Sequence, residues 1–128
     1  MRLLLDTHTL LWWLAGDARL PRAARTAIDD EANEVFVSSA SAWEVTTKHR
    51  LGKLPGAGPL AVDFAREVRT QGFQPLPISL EHGQLAGALP GMHRDPFDRM
   101  LAAQARAELM ALVSNETLFD EYGITRIW

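Results

Sequence analysis

Cysteine is absent from this chain of 128 residues, and its absence excludes several kinds of site. Without a thiol there is no disulfide, no thiolate zinc site and no cysteine nucleophile. Long hydrophobic runs are also missing: the best candidate, 10–15, has six residues, whereas a membrane-spanning helix needs roughly 20. We therefore predict no membrane segment. Asp6 and His8 interrupt the apolar N-terminus, so we interpret it as mature structure of a cytoplasmic protein rather than a signal peptide.

A strong charge of one sign and a phosphate-binding glycine loop are absent as well. The 13 basic and 16 acidic residues give a net charge of −3, which argues against non-specific coating of nucleic acid but does not exclude a local basic groove. The nine glycines form neither GxxxxGK[ST] nor GxGxxG. What the chain has is 47% hydrophobic residues, enough for a core. Its length predicts one domain over 1–128.

Short apolar runs alternate with longer amphipathic stretches along the chain. Predicted strands are 3–5, 35–37, 110–113 and 124–128, while the prolines of 73–78 limit that run to an edge strand or none. Predicted helices begin at Thr7, at Pro21, within 38–41, at 60, at Ser79 and at Asp95, and the last extends to 109. Residues 54–59 form a predicted loop. This alternation predicts an α/β sandwich with a mostly parallel sheet.

Acidic residues recur where the predicted strands end. Asp6 follows the first strand, Glu44 lies in the helix after the second, Asp95 and Asp98 open the helix before the fourth, and Glu116 follows that strand. Ligands of open α/β sheets bind outside the carboxyl ends of the strands. These acids are therefore candidates for a functional site.

The positions of these acidic residues have two explanations, helix capping and metal binding. Each suits a helix N-terminus: Asp6 as an N-cap, Ser41 and Glu44 as a capping box, and Asp95 as the cap before Pro96. Together, however, close carboxylates repel each other, and a hard divalent cation such as Mg²⁺ or Mn²⁺ removes that conflict. Without Asp6, Glu44, Asp98 and Glu116 the chain would hold 13 basic and 12 acidic residues, which would not strongly repel a polyanion.

Four motifs in order carry a resemblance to a known family. They are Asp6-Thr7-His8 after an apolar strand, Ser38-Ser39 with Ala42-Trp43-Glu44, Arg94-Asp95-Pro96-Phe97-Asp98-Arg99 with Leu101-Ala-Ala-Gln104-Ala105, and Leu112-Val113-Ser114-Asn115-Glu116. In this order and spacing they resemble PIN-domain ribonucleases, and closely the VapC toxins of bacterial toxin–antitoxin modules. The resemblance covers nearly the whole chain.

The resemblance implies a PIN-like three-layer sandwich, a central mostly parallel sheet flanked by helices. It implies an endoribonuclease toxin that hydrolyses phosphodiester bonds of structured RNA (tRNA or rRNA) by metal-activated water, with Mg²⁺ or Mn²⁺ as cofactor. It also implies a homodimer and a cognate VapB-type antitoxin. The implied catalytic residues are Asp6, Glu44, Asp98 and Glu116, with Asp6 and Asp98 as metal ligands. The implied supporting residues are Asp95, Thr7, Ser114 and Asn115. Glu116 stands where the family usually has Asp.

Other polar and aromatic residues have two interpretations each. The basic residues Lys48, Arg50, Lys53, Arg94 and Arg99 either bind RNA phosphates or form an ordinary solvated face. The histidines His8, His49, His82 and His93 are acid–base candidates, but packing or surface roles are favoured. Trp43 is expected in the core, and of Trp12 and Trp13 one is expected in the core and the other at an interface.

Two further functions compete with the toxin hypothesis. One is a catalytically inactive PIN-like module that binds RNA or protein. The other is an aspartate-based phosphohydrolase with Asp6 as nucleophile, although His8 stands where that chemistry normally needs a second acid.

Overall fold

Within residues 1–91 and 95–128, which the computed structural model describes, five short strands form one parallel sheet. The strands are Arg2–Leu5 (β1), Glu34–Ser38 (β2), Gln74–Leu76 (β3), Ala111–Val113 (β4) and Arg126–Ile127 (β5). Their order across the sheet is β3-β2-β1-β4-β5. β3, which contains Pro75, is the edge strand allowed by its prolines, because proline cannot donate a ladder hydrogen bond.

Helices cover both faces of the sheet. They are Thr7–Ala15 (α1), Arg22–Asp29 (α2), Ser39–Arg50 (α3), Gly58–Val62 (α4), Phe64–Thr70 (α5), Leu80–Ala88 (α6) and Pro96–Ala107 (α7), with short 3-10 helices at Pro55–Ala57 and Thr117–Tyr122. Alternate residues of a strand point to opposite faces. Accordingly Leu3 and Leu5 belong to one hydrophobic core and Leu4 to the other. The predicted three-layer sandwich is confirmed.

The segment between α3 and β3 differs from its prediction. Residues 54–59, expected as a loop, contain a 3-10 helix and the start of α4. The single helix expected over 60–70 is two helices, because the backbone at Asp63 leaves the helical region with φ −146° and ψ 77°. The Asp63 carboxylate then accepts a hydrogen bond from the Arg66 N–H at 3.2 Å and caps α5.

α7 is shorter than predicted at its carboxyl end. It stops at Ala107 instead of 109, because Leu109 adopts a left-handed backbone conformation with φ 55°, which a right-handed helix cannot contain. No helix in the described part of the chain is long and apolar enough to cross a membrane.

Candidate active site

The central feature of the site is Asp6, which follows β1 directly. β1 and β4 are neighbours, and the strand order reverses between them, which is where open parallel sheets bind ligands. The Asp6 N–H donates to the Val113 carbonyl at 3.1 Å. The Ser114 hydroxyl, just beyond β4, donates to Asp6 Oδ2 at 2.6 Å. The Asp6 side chain makes no capping hydrogen bond to α1; it is 5% exposed and held by Ser114 instead.

Glu44 lies deeper in α3 than a capping residue would. The predicted capping box is wrong, because the N-cap of α3 is Ser38, whose hydroxyl accepts from the Ala40 N–H at 2.9 Å. Glu44 is 3% exposed, and its Oε2 accepts a hydrogen bond from the Lys48 ammonium one turn later. Its other oxygen, Oε1, is buried without a hydrogen-bond partner among the described residues.

Asp95 and Asp98 have separate roles at the start of α7. Asp95 is the predicted cap: its Oδ1 accepts from the backbone N–H groups of Phe97 and Asp98 at 2.9 and 3.2 Å. Pro96 begins the helix, as its fixed φ and missing N–H favour. The first turn thereby carries Asp98 as a half-buried carboxylate.

These carboxylates lie close enough for the charge of one to change the pKa of another, so we treat them as one acidic cluster. Burial raises the pKa of Asp98 to about 8, and the negative charges of Asp6, Asp95, Glu44 and Glu116 contribute to the rise. Burial also raises the pKa of Asp6, against the lowering effect of the Ser114 hydrogen bond and of nearby His8. Both acids would ionise more readily if a cation lay beside them.

The donor set of this cluster suits a hard divalent cation bound by few protein ligands. Within residues 1–91 and 95–128, no three acidic or histidine side chains are grouped so that together they could hold a metal ion. Mg²⁺, however, is usually bound by one or two carboxylates together with waters and substrate phosphates. Asp6 and Asp98 supply two carboxylates, and the orphaned Oε1 of Glu44 is a buried oxygen acceptor in the same cluster. The residues therefore fit such an ion.

Glu116 and the supporting residues surround this cluster. The half-buried Glu116 acts on Asp98 through its charge, while its Oε1 accepts from the Leu118 N–H at 3.1 Å and caps the following 3-10 helix. The buried Thr7 hydroxyl lies 2.9 Å from the hydroxyl of Ser41. This contact joins α1 to α3 and was not predicted from the sequence. Asn115 is exposed beside Ser114.

The basic residues divide by environment. Lys48 reaches into the acidic cluster, whereas Arg50 and Lys53 are exposed at and beyond the end of α3. The Arg99 guanidinium donates to the carbonyls of Ala86 at 2.8 Å and Leu89 at 2.6 Å, which attaches α7 to the end of α6. Arg94 and His93 lie outside the described residues.

The structure shows the surroundings of three tryptophans and one histidine that were assigned roles from the sequence. The expectation that Trp43 packs in the core is wrong: it is 62% exposed and meets Phe97 edge-on at 4.9 Å. Trp12 and Trp13 are both partly buried against one core. His82 packs inside, as favoured, and its Nε2 lies 2.8 Å from a Glu108 carboxylate oxygen.

Comparison with known proteins identifies one protein family that the chain matches. The model of the PIN domain family matches residues 3–124. Ribonuclease VapC22 of Mycobacterium tuberculosis is 32% identical over 116 residues, which cover 88% of this chain and 85% of that protein. Ribonuclease VapC16 of the same organism is 38% identical over 69 residues, 54% of this chain and 48% of that protein, so that match spans about half of the relative's length.

Solved structures share the fold at low sequence identity. VapBC2 from Rickettsia felis, bound to a DNA fragment from its promoter, has a TM-score of 0.68 at 18% identity and covers 98% of this chain and 97% of that one. VapBC-1 from nontypeable Haemophilus influenzae has a TM-score of 0.63 at 14% identity, over 98% and 96% of the two chains. These likenesses support the fold.

Proposed function

This chain belongs to the PIN domain family, and from that membership and its acidic site we propose that it is a metal-dependent endoribonuclease, the toxin of a VapBC-type toxin–antitoxin pair. One observation carries the proposal. At the point where strand order reverses, burial first and neighbouring carboxylates second raise the pKa of both Asp6 and Asp98, with Glu44 acting on both. That is the arrangement expected of carboxylates that share a cation.

In this proposal Asp6 and Asp98 would hold Mg²⁺ or Mn²⁺, and such an ion would supply activation of water and neutralisation of phosphate charge when bound. Ser114 orients the Asp6 carboxylate through its short hydrogen bond. Glu44 Oε1, which has no hydrogen-bond partner among the described residues, would accept a proton or a hydrogen bond from the attacking water. Asp95 positions Asp98 by capping α7. Glu116 adds negative charge at the rim while it caps its own 3-10 helix.

The proposed substrate is structured RNA, tRNA or rRNA, in the cytoplasm. Relatives of the chain are named ribonucleases. Lys48, Arg50 and Lys53 lie along one helix and its extension and would contact the RNA backbone. Arg99 is less favourable for that role, because its guanidinium already donates to α6 carbonyls. We propose homodimer formation as well.

The direct test is cleavage of a bacterial tRNA and rRNA pool by the purified protein. We expect cleavage in Mg²⁺ or Mn²⁺, loss in EDTA, and products with 5′-phosphate and 3′-hydroxyl ends. Asp98→Asn should reduce cleavage by at least about 100-fold, in the range seen when a group that stabilises the transition state is removed. Asp29→Asn, an exposed acid on α2, is the matched control. Cyclic-phosphate products that persist in EDTA, or normal cleavage by Asp98→Asn, would refute the proposal.

A second test addresses the partner. The structural neighbours are toxin–antitoxin complexes, and an antitoxin arginine can pair bidentately with two carboxylates, which lysine cannot imitate. We therefore expect a basic antitoxin segment to occupy the cluster of Asp6, Glu44, Asp98 and Glu116 and to compete with the metal. Co-expression with the product of the adjacent gene should abolish cleavage, and replacing that product's basic residue by Ala should restore it. If the adjacent product neither binds nor inhibits, the toxin assignment fails even where nuclease activity stands.

A further inference from the structure

The ammonium of Lys48 is a positive charge in direct contact with the acidic cluster. Its side chain is 31% exposed, while the Glu44 side chain that it contacts is 4% exposed. The two residues are four apart on α3, the spacing that places side chains on one helix face. The ion pair therefore extends inward from the surface to a buried carboxylate.

Several negative charges act on Lys48, not Glu44 alone. Burial by itself would lower the pKa of Lys48, but the hydrogen bond and charge of Glu44, together with the charges of Asp95 and Asp98, raise it above its usual range. The ammonium also lies 6.0 Å from the centroid of the Phe97 ring. Lys48 thus stays charged beside the acids that we assign to the metal.

The ion pair with Lys48 gives a hydrogen-bond partner to only one of the two Glu44 carboxylate oxygens. Lys48 binds Oε2, and Oε1 is buried with no hydrogen-bond partner among residues 1–91 and 95–128. A buried charged oxygen without a partner is costly. Oε1 is therefore available to accept a hydrogen bond from a polar ligand such as water, while Oε2 depends on the charge of Lys48.

From this geometry, and resting on the proposed function, we propose that Lys48 binds two anions in turn. It holds the Glu44 carboxylate when the cluster has no metal, and it binds the scissile phosphate of RNA when a divalent cation held by Asp6 and Asp98 supplies the positive charge beside Glu44 instead. In the first state Lys48 partly offsets the repulsion among the acids. In the second it contributes a positive charge to a site that must accept a polyanion despite its acidic residues.

This inference predicts opposite effects on metal affinity and on catalysis. Lys48→Met removes a positive charge that repels Mg²⁺ and competes with it in neutralising the acids of the cluster, so Mg²⁺ should bind about five- to tenfold more tightly. Cleavage of the tRNA pool at saturating Mg²⁺ should nevertheless fall about 10- to 100-fold, mainly in kcat, because a charge that stabilises the reacting phosphate is lost. Lys48→Arg keeps the charge and should stay within about twofold of the original Mg²⁺ affinity.

Calorimetry measures the affinities, and Arg106→Met provides the control. Arg106 is exposed near the opposite end of the helix that carries Asp98, about 12 Å along its axis. Its replacement removes the same charge and should change neither quantity. Unchanged or weaker Mg²⁺ binding by Lys48→Met overturns the proposal, as does tighter binding with undiminished kcat.

NMR of the unsubstituted protein tests the exchange even if Lys48→Met folds poorly. In EDTA the Lys48 ammonium, assigned by its loss in Lys48→Arg, should give a ¹⁵N–¹H signal protected from exchange with water. Saturating Mg²⁺ should abolish this protection. Protection that persists at saturating Mg²⁺ overturns the proposal. If the unsubstituted protein binds Mg²⁺ and releases Lys48 but cleaves no RNA, the proposed function and the phosphate-binding step fail, whereas the exchange at Glu44 stands.

Discussion

Replacing Asp98 by Asn should stabilise the metal-free protein at pH 8 and leave it nearly unchanged at pH 4. The pKa of Asp98 rises from 3.8 to about 8 in the fold, through burial first and neighbouring acids second. The folded protein therefore binds a proton that the unfolded chain releases above about pH 4. Where the native state binds more protons, stability falls as pH increases. Asp98 thus destabilises the fold progressively between about pH 4 and pH 8, and asparagine has no charge to titrate.

The magnitude follows from the same pKa difference. A difference of one in pKa corresponds to about 1.4 kcal/mol, so a rise from 3.8 to about 8 sets an upper bound of about 6 kcal/mol. Asp98 is only half-buried, and solvent screening reduces such energies substantially. We therefore expect Asp98→Asn to gain about 2 kcal/mol at pH 8 relative to pH 4, or roughly 5–10 °C in Tm for a domain of this size.

Urea denaturation in EDTA between pH 4 and pH 8.5 measures this effect. Asp29→Asn removes an exposed acid from α2 and should give a pH profile parallel to that of the unsubstituted protein. Comparing slopes rather than single values cancels any pH-independent consequence of the substitution. Addition of Mg²⁺ should stabilise the unsubstituted protein more than Asp98→Asn, because the variant lacks one of the two proposed metal ligands.

Parallel profiles for Asp98→Asn and the unsubstituted protein would refute the reasoning. In that case Asp98 would titrate near its ordinary pKa, and the acids would not form one repelling cluster. The same conclusion holds if the parallel profiles are offset by a stability gain that is equal at pH 4 and pH 8, because such a gain would come from packing or hydrogen bonding and not from charge.

Three further substitutions test particular contacts by urea denaturation at pH 7.5. Ser114→Ala removes the hydroxyl that donates to Asp6 at 2.6 Å and should cost about 1–3 kcal/mol, whereas Ser114→Thr should keep most of that stability; equal losses would contradict the hydrogen bond. Arg99→Met should cost about 2–3 kcal/mol, because its guanidinium donates to two carbonyls, and a loss below about 0.5 kcal/mol would show that Arg99 does not attach α7 to α6. Trp43→Ala should cost only about 0.5–1.5 kcal/mol, since its main contact is the edge-on pair with Phe97; a cost of 3 kcal/mol or more would indicate a buried tryptophan.

The sequence predicts the sheet well because its signals are local. Three leucines before Asp6 and the β-branched run at 35–37 are strands by pattern alone, and the prolines of 73–78 restrict that run to an edge, where β3 lies. The Asp95-Pro96 pair marks the start of α7 because cap chemistry depends only on neighbouring residues. Each of these inferences needs no knowledge of distant contacts.

Asp63 and Trp43 show where local pattern fails. Asp63 lies within an apolar periodicity that predicts one continuous helix. It instead caps a new helix, because aspartate is unfavourable in a helix interior and favourable at an N-terminus. Trp43 is apolar and adjacent to buried Glu44, but successive helical residues point about 100° apart. The buried face of α3 holds Ser41, Glu44 and Val45, and Trp43 falls outside it.

The capping-box explanation of Ser41 and Glu44 fails for a different reason. Ser38 and Ser41 are both suitable N-cap residues for α3. Ser38 is the cap because β2 ends there and α3 begins at the next residue. With Ser38 as the cap, Glu44 moves from the first turn to a buried position, and the Glu44–Lys48 spacing becomes the informative pattern. A Glu followed four residues later by Lys is visible in the sequence, but its burial is not.

Repulsion among the carboxylates links the proposed activities through one physical cause. Asp6, Glu44 and Asp98 come from three separate elements, and the packing that brings them together also removes them from water. Any positive charge that enters the cluster relieves the same repulsion: a divalent metal, the Lys48 ammonium, or an antitoxin guanidinium. Once one cation has neutralised the repulsion among the carboxylates, a second cation gains less from binding. These cations therefore compete for the cluster. Lys48→Met should therefore raise the affinity of the cluster for both Mg²⁺ and a basic antitoxin segment, and a variant that tightens only one of them would show that the two bind to different acids.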